Sequence, residues 1–349
     1  MFFTAVIKAA DEYQDLLRIS AASAGNDHRL GSNEAPPAIV SMFIGDELYE
    51  TLEAVESGAD YRGKETQPME IGVTVLPHFP RDTTDRNRTS PFAFSGNKFE
   101  FRMLGSAFSV ADPNVVLNTA AAESLRQFAD ILENSGNFTA DLTLIIKKTF
   151  KEHKKIIFNG NNYSEEWTSE AARRKLSNLE TVVDALPEFI SKKSVELFKT
   201  HNVFSEKEIY SRYEILMENY CKTLHIEALT MIDIVNGIII PACMSYQNEL
   251  IALLEKKKTH GKFDVSLEEY LLGRLSDLSS QLLEKLLDLN GAVLKTAEKR
   301  DVLAQAEFYR GRVLSAMNEL RSAADELEII TAKKYWPLPN YAELLYSVV

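Results

Sequence analysis

Apolar positions recur at helical spacing from the first residues of the chain. Phe3, Val6, Ile7, Ala10, Tyr13 and Leu17 predict a helix over 3–22. A Gly-Asn-Asp-His loop is expected at 25–28. The short apolar run 38–44 suits a buried strand, 46–57 a helix, and the β-branched run 71–76 a further strand. Residues 77–91, rich in Pro, Asp, Asn and Thr, read as a long surface loop. Strict alternation over 92–104, centred on Lys98-Phe99-Glu100-Phe101-Arg102, predicts the clearest strand of the chain. From Asp112-Pro113-Asn114 onward the period becomes helical, and Pro113 suits the first turn of a helix ending near 133. Further helices are expected at 164–175, 188–199 and 205–258, the last broken near Pro241, and as a pair at 266–298 and 300–333. Leu275, Leu278, Leu282, Leu286, Leu289 and Val293 form one stripe of that pair. Val302, Ala306, Tyr309, Val313, Met317, Leu320 and Leu327 form the other, and both predict core-facing surfaces. Asn290-Gly291 marks a weak point in the first of these helices. The expected fold is α+β over about residues 1–115, followed by a predominantly α-helical bundle.

Composition changes this picture little. The 349 residues are 45% hydrophobic and 26% charged, an ordinary globular balance. A net charge of −12 speaks against nucleic acid or an anionic membrane surface as partner. The apolar run from Ile232 to Cys243 is interrupted by Asp233, Asn236 and Pro241 and reads as too short to span a membrane. The N-terminal segment has no basic region and carries an early Asp11-Glu12 pair, unlike a signal peptide. Cys221 and Cys243 suit packed, reduced thiols rather than a disulfide framework or a zinc ribbon. A cytoplasmic protein is therefore expected. A helix under way at the first residues leaves little room for a cap, as in a chain that starts inside a domain.

Three places could carry chemistry. In His28 to Pro37 a Gly-containing loop with Arg29 and Glu34 leads into an apolar strand; its plain alternative is a solvated turn with an Arg–Glu pair. In Asp85 to Pro91, Arg86 and Arg88 could grip a phosphate or carboxylate bidentately; the alternative is a solvated charged loop. On the strand at 98–102, Lys98, Glu100 and Arg102 share one face and Phe99 and Phe101 the other. A row of cation, carboxylate and cation suits a site for metal and phosphate together, and equally the outer face of an edge strand. The six histidines are scattered, with no spacing that suggests a zinc site.

Taken in order, these motifs resemble type III glutamine synthetases. Gly31-Ser32-Asn33-Glu34-Ala35-Pro36 is similar to the flexible glutamate flap of that family, and Asn87-Arg88-Thr89 to its Asn-Arg-Ser motif. Phe99-Glu100-Phe101-Arg102 with Ala111-Asp112-Pro113-Asn114 resembles its Glu-x-Arg strand and Ala-Asn-Pro. Ala24 to Gly31, Asp85 to Arg102 and Asn159 to Trp167 carry type III wording. The resemblance implies a ligase that makes glutamine from glutamate, ammonia and ATP through γ-glutamyl phosphate, with Mg²⁺ or Mn²⁺. It implies that Glu34 closes over the site and takes a proton from ammonium, and that Arg29 holds the substrate carboxylate. Arg88 would contact the transferring phosphate, Glu100 would ligate a metal ion, and Arg102 would meet both glutamate and γ-phosphate. Lys98 stands where the family often has a nucleotide-contacting arginine. Such roles are physically coherent. Phosphoryl transfer needs its charge neutralised, an acyl phosphate needs water excluded, and ammonium must lose a proton before it attacks.

Two departures qualify the match. Ala93 stands where many members have a second arginine, leaving Arg81 or Arg86 to supply that charge. The wide separation of Glu34 and Arg88 fits a type III insertion at about 45–84. No counterpart is found of the upstream strands with the other metal-binding residues, nor of the N-terminal β-grasp domain. The resemblance therefore implies an incomplete catalytic sheet, with residues 1–150 forming the C-terminal part of the catalytic domain and 151–349 a helical C-terminal domain. It also implies a homo-oligomer of two stacked hexameric rings when the protein is complete, and an isolated chain that is inactive. The alternatives are a non-catalytic helical interaction protein derived from the family, or a related ATP-dependent carboxylate–amine ligase.

Overall fold

The structure, a computed structural model, describes residues 1–32, 35–61 and 89–346. The strand expected at 71–76, Arg81, Arg86 and most of the proposed insertion lie outside the described residues. The chain divides into two compact units, Met1–Leu216 and Met217–Val349. The division falls within a helix, whereas the boundary expected at 150/151 falls inside a helix of the first unit.

In the first unit the N-terminal pattern folds as two helices, α1 (Phe2–Glu12) and α2 (Gln14–Ile19), which meet at Tyr13. The stretch expected to be a loop at 25–28 is instead helix α3 (Ala24–Arg29). Ser23 supplies the cap that the sequence reading missed, its side chain accepting from Asn26 N at 3.1 Å. The run 38–44 is buried as expected at Ala38, Ile39 and Val40, but only Met42–Phe43 is strand, β1. Helix α4 covers Asp46–Ser57.

The continuous strand expected at 92–104 is a hairpin. β2 (Phe92–Phe94) turns at Gly96, whose φ of +92° suits glycine alone, and returns as β3 (Phe99–Phe101). β2 pairs parallel with β1 and antiparallel with β3, with Ala93 opposite Glu100. The side chains of Phe92, Phe94, Phe99 and Phe101 meet one another, and Phe3 of α1 stacks on Phe99. Behind the hairpin, α1 packs on α5 (Ala111–Leu132) and α6 (Phe138–His153) through Ala5, Phe128 and Ile145. The segment after α6 leads into α7 (Glu165–Arg173), followed by the short α8 (Val182–Ala185) and by α9 (Lys192–Thr200).

Helix α10 (Glu206–Ile234) does not break at Pro241. It passes through a π turn at Val235–Ile239 into α11 (Ile240–His260). Proline lacks an N–H and its ring crowds the carbonyl four residues back, so one wider turn absorbs the misfit that was expected to end the helix. Because the helix continues, an 18-residue window within Glu206–His260 reaches a mean hydropathy of 1.7 with 28% of it buried. By length and composition that helix could cross a membrane, which corrects the reading that Asp233, Asn236 and Pro241 leave the run too short.

Within the second unit, α12 (Ser266–Thr296) packs on α11 and on α14 (Leu314–Ile330). Asn290-Gly291 does not end α12. All six residues of its stripe are buried, as are those of the facing stripe from Ala306 to Leu327; Val302, in α13 (Val302–Phe308), is half-buried. Cys221 and Cys243 are buried and form no disulfide, and burial pushes the Cys221 thiol up to about 11.

Candidate active site

The site is built from the first unit outward from α3. Asn26, which is 1% exposed, donates to Met103 O at 3.0 Å and to Ala21 O. Its Oδ1 accepts from Arg29 Nε at 2.9 Å, and Arg29 Nη2 also donates to Met103 O. One buried amide thus fixes both the helix and the guanidinium it presents. The helix is tied at its other flank by Asp27, which accepts from Val182 N at the start of α8 (2.9 Å) and from Arg18 (3.1 Å). Arg18 is 1% exposed and also donates to the carbonyls of Leu179 (2.7 Å) and Glu180 (3.1 Å). Burial pushes the Asp27 carboxyl up to about 6, against the pull of Val182 N–H and Arg18.

On the hairpin, Lys98, Glu100 and Arg102 face one way. Lys98 Nζ lies 2.9 Å from Glu100 Oε1, and Arg102 Nη2 lies 2.7 Å from Oε2. Hydrogen bonds from Lys98 and then Arg102 hold the Glu100 carboxyl down at about 2, so it is ionised at neutral pH.

Arg29, Glu100 and Arg102 line one cavity of about 400 Å³, together with Leu30, Ala35, Pro36, Ser90, Pro91, Met103 and Tyr163. Lys98 is not on its wall; its exposed side chain pairs with Glu100, which is. Glu34 and Arg88 lie outside the described residues, although Ala35 and Ser90, close to them in the chain, line the cavity. Ala93 is buried in β2. The arrangement can hold a small anion between guanidiniums, beside one carboxylate.

That carboxylate is not enough for a metal. Magnesium takes about six oxygen ligands. Both Glu100 oxygens already accept from cations, and among the described residues no group of three His, Cys, Asp or Glu side chains could hold an ion. A magnesium ion here would need further oxygen ligands beyond those of the described residues.

Tyr163 was not among the expected site residues. It sits in the Asn-rich stretch 159–164, whose asparagines anchor it to the residues flanking β1. Asn159 Oδ1 accepts from Ile44 N and Gly45 N, each at 3.1 Å. Asn162 is fully buried; oriented to satisfy all its neighbours, its oxygen accepts from Ser41 Oγ (2.6 Å) and Trp167 Nε1 (3.2 Å) while its nitrogen donates to Thr89 O (3.1 Å). Phe158 stacks on the buried Trp167 at 4.0 Å and its N–H donates to Met42 O. Gly160 leaves room for this stack, since a Cβ there would stand 2.5 Å from the Phe158 ring and force it to shift. Four polar or glycine residues in a row inside an otherwise helical region were the available signal.

Residues 141–258 match a family model described as the glutamine synthetase C-terminal domain. Over its whole length the chain is 41% identical to a glutamine synthetase of Butyrivibrio fibrisolvens, covering 50% of that protein. Over 99% of its length it is 38% identical to a type-3 glutamine synthetase of Dictyostelium discoideum, covering 48%. Again over 99%, it is 34% identical to a glutamine synthetase of Bacteroides fragilis (strain YCH46), covering 49%. The chain spans about half the length of the curated relatives it matches.

Proposed function

Because this chain belongs to the glutamine synthetase family, on the type III side of it, we propose that it supplies the C-terminal half of an ATP-dependent glutamate–ammonia ligase. The observation that carries the reading is the convergence of Arg29, Glu100 and Arg102 on one small cavity, from segments far apart in sequence. In this reading Arg29 holds the carboxylate of glutamate, and Arg102 faces the reacting end. The γ-phosphoryl group of ATP passes to the side-chain carboxylate and ADP leaves. Arg88 and Arg102 neutralise the charge that spreads over the phosphoryl oxygens. Ammonium gives a proton to Glu34, and ammonia then displaces phosphate from the acyl carbon. Lys98 contacts the nucleotide. Glu100 supplies one oxygen ligand to a Mg²⁺ or Mn²⁺ ion completed from elsewhere. The catalytic part runs to about residue 150 and the helical domain follows it, in a cytoplasmic homo-oligomer of stacked rings.

A single metal-ligating carboxylate among the described lining residues also supports the further proposal that the chain is inactive alone. The test is glutamine formation from glutamate, ammonia, ATP and Mg²⁺, first with the 349-residue chain and then with the complementary half added. The expected result is none alone and activity on addition, lost again in Glu34→Ala. Activity of the isolated chain would overturn the incomplete-site reading. Failure of a folded, reconstituted pair would favour the non-catalytic alternative, and turnover only with another acid or amine would favour the related ligase.

A further inference from the structure

We propose that Tyr163 is a substrate-contacting residue, its ring forming the apolar wall against which the methylene chain of glutamate packs. The inference rests on the reading of the site as that of a glutamate ligase. Three observations carry it. Tyr163 lines the same cavity as Arg29, Glu100 and Arg102. It is 42% exposed, beside the buried anchor Asn162, so a large aromatic face is held at a polar opening rather than in a core. Its backbone is preset, with Tyr163 N donating to Asn161 Oδ1 at 3.0 Å and Ser164 N to Asn161 O at 3.1 Å, directly after the anchors at Asn159 and Asn162.

The chemistry of the ligand fits this wall. Glutamate carries a carboxylate at each end of a short methylene chain. Guanidiniums can take the ends, but they do nothing for the carbons between. An aromatic side chain has only two rotatable bonds, and on a backbone set beforehand it covers such carbons at a small loss of rotamer freedom. Leu30, Ala35, Pro36, Pro91 and Met103 add further apolar lining. The Asn159–Ser164 stretch therefore has a purpose beyond closing the gap between α6 and α7. It brings a residue from the region matched by the C-terminal domain model to the substrate.

The test uses the chain assembled with its complementary half, and reads glutamate binding by calorimetry beside glutamine formation. Tyr163→Ala is expected to raise both the Kd and the KM for glutamate about tenfold, leaving the KM for ATP within about twofold. Tyr163→Phe, which keeps the ring, should stay within about threefold of the parent. Tyr163→Ser repeats the truncation should the alanine variant fold poorly. Unchanged glutamate binding in both truncations overturns the proposal while leaving the ligase reading intact, and so does a change confined to ATP, which would place the ring at the nucleotide. Glutamate binding that depends on Tyr163 without glutamine formation supports the proposal and overturns the ligase reading. No glutamate binding by the parent assembly overturns both.

Discussion

In the second unit, α12 and α14 meet along stripes of Leu, Val, Met and Ala in which every member repeats its neighbours' task. In the first unit, the walls of the cavity are held by single polar residues with partners far away in the chain: Arg18 on the carbonyls of Leu179 and Glu180, Asn26 on Met103, Asn162 on Ser41. Burial along a stripe is additive and non-directional, so no one side chain is indispensable. A buried polar anchor is directional, and removing one partner strands the other. The helical region should lose stability in proportion to area removed. The site region should lose it residue by residue, at the anchors.

The sharpest break in this comparison is Arg18→Ala. It leaves Asp27 buried without its ion pair and frees two carbonyls, and should cost about 3–5 kcal/mol in chemical denaturation. The pH dependence gives a second reading. The folded-state pKa of Asp27 is raised, so the stability it contributes is present at low pH and lost as pH rises through about 6. Removing Arg18 raises it further, and the variant should be markedly more stable near pH 5 than near pH 8. A loss under about 1 kcal/mol would mean that the Arg18–Asp27 clamp is incidental.

Leu282→Ala, at the centre of the α12 stripe, should cost about 3 kcal/mol through lost burial and the cavity left behind. The loss should be independent of pH between about 5 and 8, and glutamate binding by the assembled protein should not change. If this variant abolished binding while remaining folded, the division of labour between the two regions would be wrong. Gly160→Ala tests the anchored stretch at a place where no hydrogen bond is removed. The added Cβ must displace the Phe158 ring, which is trapped against Trp167, at about 2 kcal/mol. The indole environment of Trp167 should shift with it. An unchanged tryptophan spectrum and midpoint would show that the stack yields freely.

The same contrast explains what the sequence disclosed. The stripes at 275–293 and 306–327 were legible because a helix writes its buried face locally, at a period that needs no partner to be seen. The π turns at Val235–Ile239 and Tyr309–Val313 were not, since a one-residue shift hardly alters the pattern. Around the site, Lys98, Glu100 and Arg102 were placed on one face by simple alternation. Yet Ser95-Gly96-Asn97 was passed over as a turn because hydrophobic alternation continued on both sides of it. Tyr163 escaped notice for a deeper reason: what orients its loop is Ser41, 121 positions away from Asn162, and sequence spacing holds no record of that contact.

The smallest effect belongs to Glu100, which shares features of both regions: a specific ion pair, but on a surface. Its carboxyl is held at about 2, below its ordinary range, by Lys98 and Arg102. A depressed folded-state pKa contributes stability that is present above the ordinary carboxylate value and lost as pH falls through the folded one. With the Glu100 side chain 31% and Lys98 65% exposed, water screens the interaction, and Glu100→Gln should cost less than about 1 kcal/mol at neutral pH. Thermal midpoints of parent and variant followed from about pH 6 down to pH 2 should converge as the carboxylate is protonated. Convergence already near pH 4 would mean that the cations grip Glu100 only loosely. That outcome bears on the chemistry as well as on stability. A carboxylate tightly held by two cations must release part of that grip to ligate a metal ion, whereas a loosely held one is free to turn toward it.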